Sequence, residues 1–188
     1  AWVAPDPAHA SAADVRALHD GGAQPFAYLS IGEFAGDAAA LEKAGLSAGA
    51  SPVANKAWGS QVMNLASPVW RTHLLERAAQ LAKAGYTGLF LDTLDSFQLV
   101  AEDQRETQRL ALKSLLAELH RRQPALKLFF NRGFEVQPEL PGVAAAMAVE
   151  SLYAGWDAGK KTYRPVSEQD REWLKPRIEA ARSAGIPV

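Results

Sequence analysis

Short β-branched or aromatic runs alternate with longer amphipathic stretches along the whole chain, and each helix hands over to the next strand across a Gly or Pro. The seams read Ala84-Gly85-Tyr86 into Leu91, Pro124 into Phe130, and Ala184-Gly185-Ile186. Strand, helix and strand in strict rotation is the pattern of α/β units around a parallel sheet. Strands are expected at Ala1–Ala4, Phe26–Ile31, Gln61–Leu65, Gly88–Asp92, Leu126–Asn131, Ala144–Ser151 and Ile186–Val188. Helix signals fall between them. Ser11 caps a helix to Asp20 that stops at Gly21-Gly22, and Ser67-Pro68 opens one with an apolar stripe of Val69, Leu74, Leu75, Ala78, Leu81 and Ala82. Further helices run over about 103–122 and 167–184. The expected fold is a (β/α)8 TIM-type barrel, and Gly32–Ala57 and Gly155–Pro165, which follow strands, read as its longer functional loops.

Composition narrows the chemistry. Twenty Lys and Arg against 21 Asp and Glu leave a net charge of −1, too little for a global field that gathers nucleic acid or anionic membrane. The absence of cysteine removes thiol nucleophiles, Cys-ligated zinc and iron–sulfur clusters. No apolar run reaches the roughly 18–20 residues of a membrane span. His9, His19, His73 and His120 show no metal-binding spacing, and neither a nucleophile elbow nor a phosphate-cradling glycine loop occurs.

Acids and amides collect at the strand ends. Taken in order they are Asp6, Glu33, Asn64, Asp92 with Asp95, Asn131 and Glu150. In a parallel barrel these positions converge on one mouth, so an acidic cleft for a cationic or polyhydroxyl ligand is expected. Asp92 ends the dry run Gly88–Leu91, and Glu150 follows the equally dry Ala144–Val149. Two carboxylates delivered from two strands suit glycoside hydrolysis, with one ionised and one holding a proton. Asp95 and Glu33 compete for those roles, and Asp92, Asp95 and Glu33 together would suit Mg²⁺ or Ca²⁺ in a metal-dependent hydrolase. Tyr28, Trp58, Phe97, Tyr153 and Trp156 lie near the expected mouth, where rings can stack on sugar faces, whereas Trp70 and Trp173 read as packing residues within helices.

Four motifs in order, Ala27-Tyr28-Leu29-Ser30-Ile31-Gly32-Glu33, Leu89-Phe90-Leu91-Asp92-Thr93-Leu94-Asp95, Asn131-Arg132-Gly133-Phe134-Glu135 and Val149-Glu150-Ser151-Leu152-Tyr153, resemble glycoside hydrolase family 166 and its relative, the family 114 endo-α-1,4-polygalactosaminidases. The resemblance implies a (β/α) barrel that cleaves α-1,4-linked N-acetylgalactosamine and galactosamine polymers of the Pel type in bacterial biofilms, with no metal or organic cofactor. It implies Asp92 and Glu150, 58 positions apart, as the catalytic pair, Asp92 as nucleophile and Glu150 as general acid/base of a retaining reaction. Their carboxyl groups would then stand about 5–5.5 Å apart. Substrate contacts are assigned to Tyr28, Glu33, Asn64, Asp95, Asn131, Tyr153 and Trp156, and Arg132 is expected either to orient a cleft acid through an ion pair or simply to face a helix. A partly deacetylated aminosugar polymer is cationic, which agrees with the acidic mouth. The alternative is a non-catalytic barrel that binds such a polymer.

A full barrel typically needs about 250 residues. At 188, the chain is expected to be one barrel domain over 1–188 that lacks its last unit or units, a fragment of a longer periplasmic or secreted protein whose leader is absent and in which a deacetylase domain can follow.

Overall fold

The computed structural model describes residues 1–157 and 159–188. Its elements are β1 (Trp2–Val3), α1 (Ala12–Asp20), β2 (Gln24–Ser30), β3 (Glu33–Ala35), α2 (Ala38–Lys43), β4 (Ala50–Asn55), β5 (Ser60–Met63), α3 (Pro68–Lys83), β6 (Gly88–Asp92), α4 (Glu102–Arg122), β7 (Lys127–Asn131), β8 (Ala144–Ala148), β9 (Ala154–Asp157), β10 (Thr162–Pro165) and α5 (Glu168–Ser183). Strands β1, β2, β6, β7 and β8 pair in that order, all in parallel, and curl through 204° into a half-barrel with helices outside. This is the expected TIM-like architecture, incomplete as a ring.

Five strands build it rather than seven. The run expected as a barrel strand at Gln61–Leu65 is β5, the middle of a separate antiparallel sheet ordered β3-β5-β4. The chain turns at Gly32 directly after β2, so that Glu33 pairs with Val62, while the parallel neighbour of β2 is β6. The side sheet hides in a sequence that reads as loop because β4 is a bulged edge strand containing Pro52, which has no N–H to give. The other expected loop, Gly155–Pro165, is largely the hairpin β9–β10. Ile186–Val188 forms no strand, although the Pro187 carbonyl accepts from the Met147 amide of β8 at 2.8 Å.

Strand alternation sorts the sheet into two faces. On the outer face Ala27, Leu29, Leu89, Leu91, Leu128 and Phe130 pack with Leu74, Ala78 and Leu81 of α3 and Leu112, Leu115, Leu116 and Leu119 of α4. Each of these fully buried leucines contributes on the order of 2 kcal/mol. The inner face is layered by register. Phe26 is level with Gly88 and Lys127, Tyr28 with Phe90 and Phe129, and Ser30 with Asp92, next to Asn131. Ring contacts of 4.8–6.3 Å link Trp2, Phe26, Phe129, Phe90 and Tyr28 into one aromatic column. The polar layer sits on top of it.

Gly88 makes this column possible, because a Cβ there would stand 2.4 Å from the Phe26 ring and 2.3 Å from the Lys127 carbonyl oxygen. Both neighbours are fixed, one by packing and one by the sheet. Gly88→Ala should therefore cost at least about 2 kcal/mol of stability, measured as a lower urea midpoint at unchanged m-value.

Candidate active site

The top layer is assembled by the C-terminal ends of β2, β6 and β7 and the turn after β8. Asp92, the last residue of β6, accepts from Tyr28 Oη at 2.7 Å on Oδ2, and from Asn131 Nδ2 at 2.9 Å and its neighbour Thr93 N at 2.8 Å on Oδ1. Three donors around one carboxyl are the surroundings of an anion. Glu150, two residues past β8, accepts from the same Asn131 nitrogen at 3.1 Å on Oε2. One amide thus holds both acids. Its two bonds limit the nearest oxygens of Asp92 and Glu150 to at most about 6 Å.

Arg132 follows Asn131 in the left-handed region at φ 60°. That conformation turns its guanidinium back over the mouth, where Nε donates to the Glu150 carbonyl at 2.6 Å and Nη1 pairs with Asp95 at 3.0 Å. The expectation that Arg132 orients a cleft acid holds for Asp95, and it extends to the backbone of Glu150.

A second left-handed residue, Thr93 at φ 60°, buckles β2 to β6. For a β-branched residue this is a strained conformation, held here by its hydroxyl. Thr93 Oγ1 donates to the Asp92 carbonyl at 2.6 Å, accepts from the Ile31 and Gly32 amides at 3.1 and 2.9 Å, and lies 2.9 Å from Ser30 Oγ. Gly32 is required there, since a Cβ would stand 2.4 Å from the Thr93 carbonyl oxygen. Glu33, only 5% exposed, accepts from Ser60 Oγ, from Ser96 Oγ at 2.5 Å and from Asn55 Nδ2 at 3.1 Å. It fastens the side sheet to the barrel mouth.

Two connected lobes make up the groove. The inner lobe, 630 Å³, has Tyr28, Glu33, Asp92, Asn131 and Ser96 in its lining. The outer lobe, 890 Å³, is walled by Trp156, Tyr163, Arg164 and Trp173. Trp58, Asp95, Gln98, Arg132 and Glu150 border both. The lining residues carry five carboxylates, Glu33, Asp92, Asp95, Glu150 and Asp170, against Arg132 and Arg164, so the expected acidic cleft is present. Burial, and then the bond to Asp92, raises the Tyr28 hydroxyl pKa well above the usual tyrosine range. Tyr28 therefore remains a donor throughout the physiological range.

Of the residues expected at the site, Tyr28, Glu33, Asp92, Asp95, Asn131, Glu150 and Trp156 line the groove. Asn64 and Tyr153 do not. Asn64 Oδ1 instead accepts from Gln108 of α4 at 2.8 Å and from Ala66 N, because the strand it ends belongs to the side sheet. Tyr153 precedes β9 and stands 77% exposed. Phe97 is buried in the core, while Trp173, read as packing, is half-exposed on the outer lobe with Arg177 over its ring at 3.6 Å. Glu33, Asp92 and Asp95 are each held by separate partners, and among the described residues no group of three carboxylate or histidine side chains has metal-binding geometry. No helix among those residues is long and apolar enough to cross a membrane. Sequence reasoning missed Ser60, Ser96, Asn55 and Thr93, short polar residues whose roles follow from the side sheet and the Thr93 turn, and Tyr163, which joins Trp156 only through antiparallel pairing across the hairpin.

Comparison with known proteins gives a consistent result. The model of glycoside hydrolase family GH114 matches residues 2–185. The chain is similar to the glycoside hydrolase domain of PelA from Pseudomonas aeruginosa, at 63% identity and a TM-score of 0.95, over 99% of this chain and 74% of that one. A variant of the same domain gives 62% and 0.96 over the same shares. Ega3 of Aspergillus fumigatus, solved in complex with galactosamine, shares the fold at 15% identity and a TM-score of 0.60, over 79% of this chain and 59% of that one. A search of the curated proteins found no match.

Tyr28 contributes a single hydroxyl to Asp92 and rests on Phe90 with its ring. Tyr28→Phe should lower kcat/KM about 10- to 100-fold, the worth of a hydrogen bond to a charged group, with a melting temperature within a few degrees of wild type.

Proposed function

Because the chain belongs to glycoside hydrolase family GH114, we propose that it is an endo-acting hydrolase of α-1,4-linked galactosamine and N-acetylgalactosamine exopolysaccharide of the Pel type. Glycosidase chemistry comes with the family. The finer reading rests above all on the Asn131 bridge, which supports a close carboxylate pair in a groove open along its length. The acid excess of the lining supports a cationic polymer as substrate.

In this reading Asp92, surrounded by three donors, attacks the anomeric carbon while Glu150 gives its proton to the departing glycosidic oxygen. A covalent glycosyl–Asp92 intermediate results, and the leaving chain departs with a new hydroxyl. Glu150 then takes a proton from water as that water attacks the same carbon, which frees Asp92 and releases the sugar with its original anomeric configuration. A nearest-oxygen separation of at most about 6 Å supports retention, since an inverting pair stands roughly 6.5–9.5 Å apart to leave room for a water. Arg132 fixes the Glu150 carbonyl from behind and keeps its side chain over the bond to be cleaved. By likeness to the PelA domain, the reading extends to a periplasmic or secreted setting and to a larger protein with further domains such as a deacetylase.

Reducing-end release from purified Pel-type polymer tests the assignment. Asp92→Asn and Glu150→Gln should each lose about 10³-fold or more of the wild-type rate, and proton NMR early in the reaction should show the α-anomer as first product. Undiminished release by both variants would sink the pair as catalysts. No release by wild type that still binds the polymer would favour a carbohydrate-binding barrel.

A further inference from the structure

We propose that the outer lobe of the groove is a binding site for N-acetylated, uncharged sugar units of the substrate chain, walled by the β9–β10 hairpin; this rests on the hydrolase reading above. Charge separates the two lobes. The residues confined to the inner lobe include Glu33 and Asp92 and no cation, whereas those confined to the outer lobe include Arg164 and a single acid, Asp170. Asp170 is already engaged in capping α5, accepting from Ser167 Oγ at 2.7 Å. Asp95, on the shared border, is paired with Arg132. With the shared border included, the outer lobe carries Asp95, Glu150 and Asp170 against Arg132 and Arg164, and the inner lobe Glu33, Asp92, Asp95 and Glu150 against Arg132 alone, so an ammonium group is held less strongly in the outer lobe.

Apolar surface replaces charge there. Trp156 and Tyr163 are cross-strand partners with ring centroids 5.2 Å apart. They are 43% and 71% exposed, and Trp58, 66% exposed, borders the same lobe from the β4–β5 turn. Trp173 completes the wall, held edge-on by Phe134 and capped by Arg177. Aromatic rings on both sides of a groove suit the apolar face of a pyranose and the methyl of an N-acetyl group, and arginine donors suit its carbonyl. The outer lobe is continuous with the catalytic border residues, so one polymer chain can occupy both.

The test uses the Glu150→Gln chain, whose silenced turnover lets binding be read directly. Its affinities are measured by calorimetry for partly acetylated and fully deacetylated α-1,4-galactosamine oligosaccharides of equal length. Adding Trp156→Ala and Tyr163→Ala should weaken the partly acetylated oligosaccharide at least 10-fold and leave the deacetylated one within about twofold. Arg164→Glu, on an exposed edge strand, should strengthen the deacetylated one. Equal losses on both ligands, or none on the acetylated one, would overturn the proposal even where wild type cleaves the polymer. Absence of both cleavage and binding in wild type would instead overturn the hydrolase reading, and the lobe assignment with it. Trp156→Phe should restore most of the loss, which separates ring stacking from a folding defect.

Discussion

The distance between the two candidate catalytic acids is set by one amide nitrogen. Asn131 Nδ2 has two protons and gives one to each carboxylate, so Asp92 and Glu150 cannot drift apart without breaking a bond to the buried Asn131 side chain. Asn131 ends β7, the strand between the two that deliver the acids, and β6 and β8 flank it in fixed register. The positions of Asp92 and of the bridging amide are thus inherited from the hydrogen-bond ladder of a parallel sheet. Glu150 sits in the turn two residues past β8 and is tied back to the strand ends by the Asn131 amide and by Arg132 on its carbonyl, so sheet and turn together hold the pair.

Around that bridge the sequence spends its conformationally costly residues. Thr93 and Arg132 both occupy the left-handed region, each directly after a strand that ends in a site residue, and each is held there by bonds to its neighbours. Such strain persists only where surrounding structure determines it. Gly32 lets β2 and the Thr93 turn approach closely, and the Glu33 that follows is locked by hydroxyls from two other segments. These residues lie within the motifs that carried the family resemblance, so the motifs encode the seating of the acids as well as the acids themselves.

Much of this was legible in the residue order. The dry runs before Asp92 and Glu150, the capping of α1 by Ser11 and the long apolar faces of α3 and α4 follow from local rules, and the structure bears them out. What local rules missed was pairing. Gln61–Leu65 has the pattern of a strand, but pattern cannot say which strand lies beside it, and the antiparallel choice moved Asn64 out of the groove. Pro52 and the alanine-rich β4 disguised the partner. Likewise Trp156 and Tyr163 become one surface only when the hairpin closes.

The layering of the inner face has an electrical consequence. Five aromatic rings lie beneath the polar layer, and a layer without reorienting dipoles or water has a low dielectric constant, so the field of the carboxylates is deflected away from the barrel interior and out through the mouth. A chain with almost no net charge therefore presents to its surroundings a narrow negative beam. Dissolved salt sets its reach, about 10 Å at 0.1 M ionic strength. Between fresh water and brine the same groove would be felt by a passing polycation over very different distances.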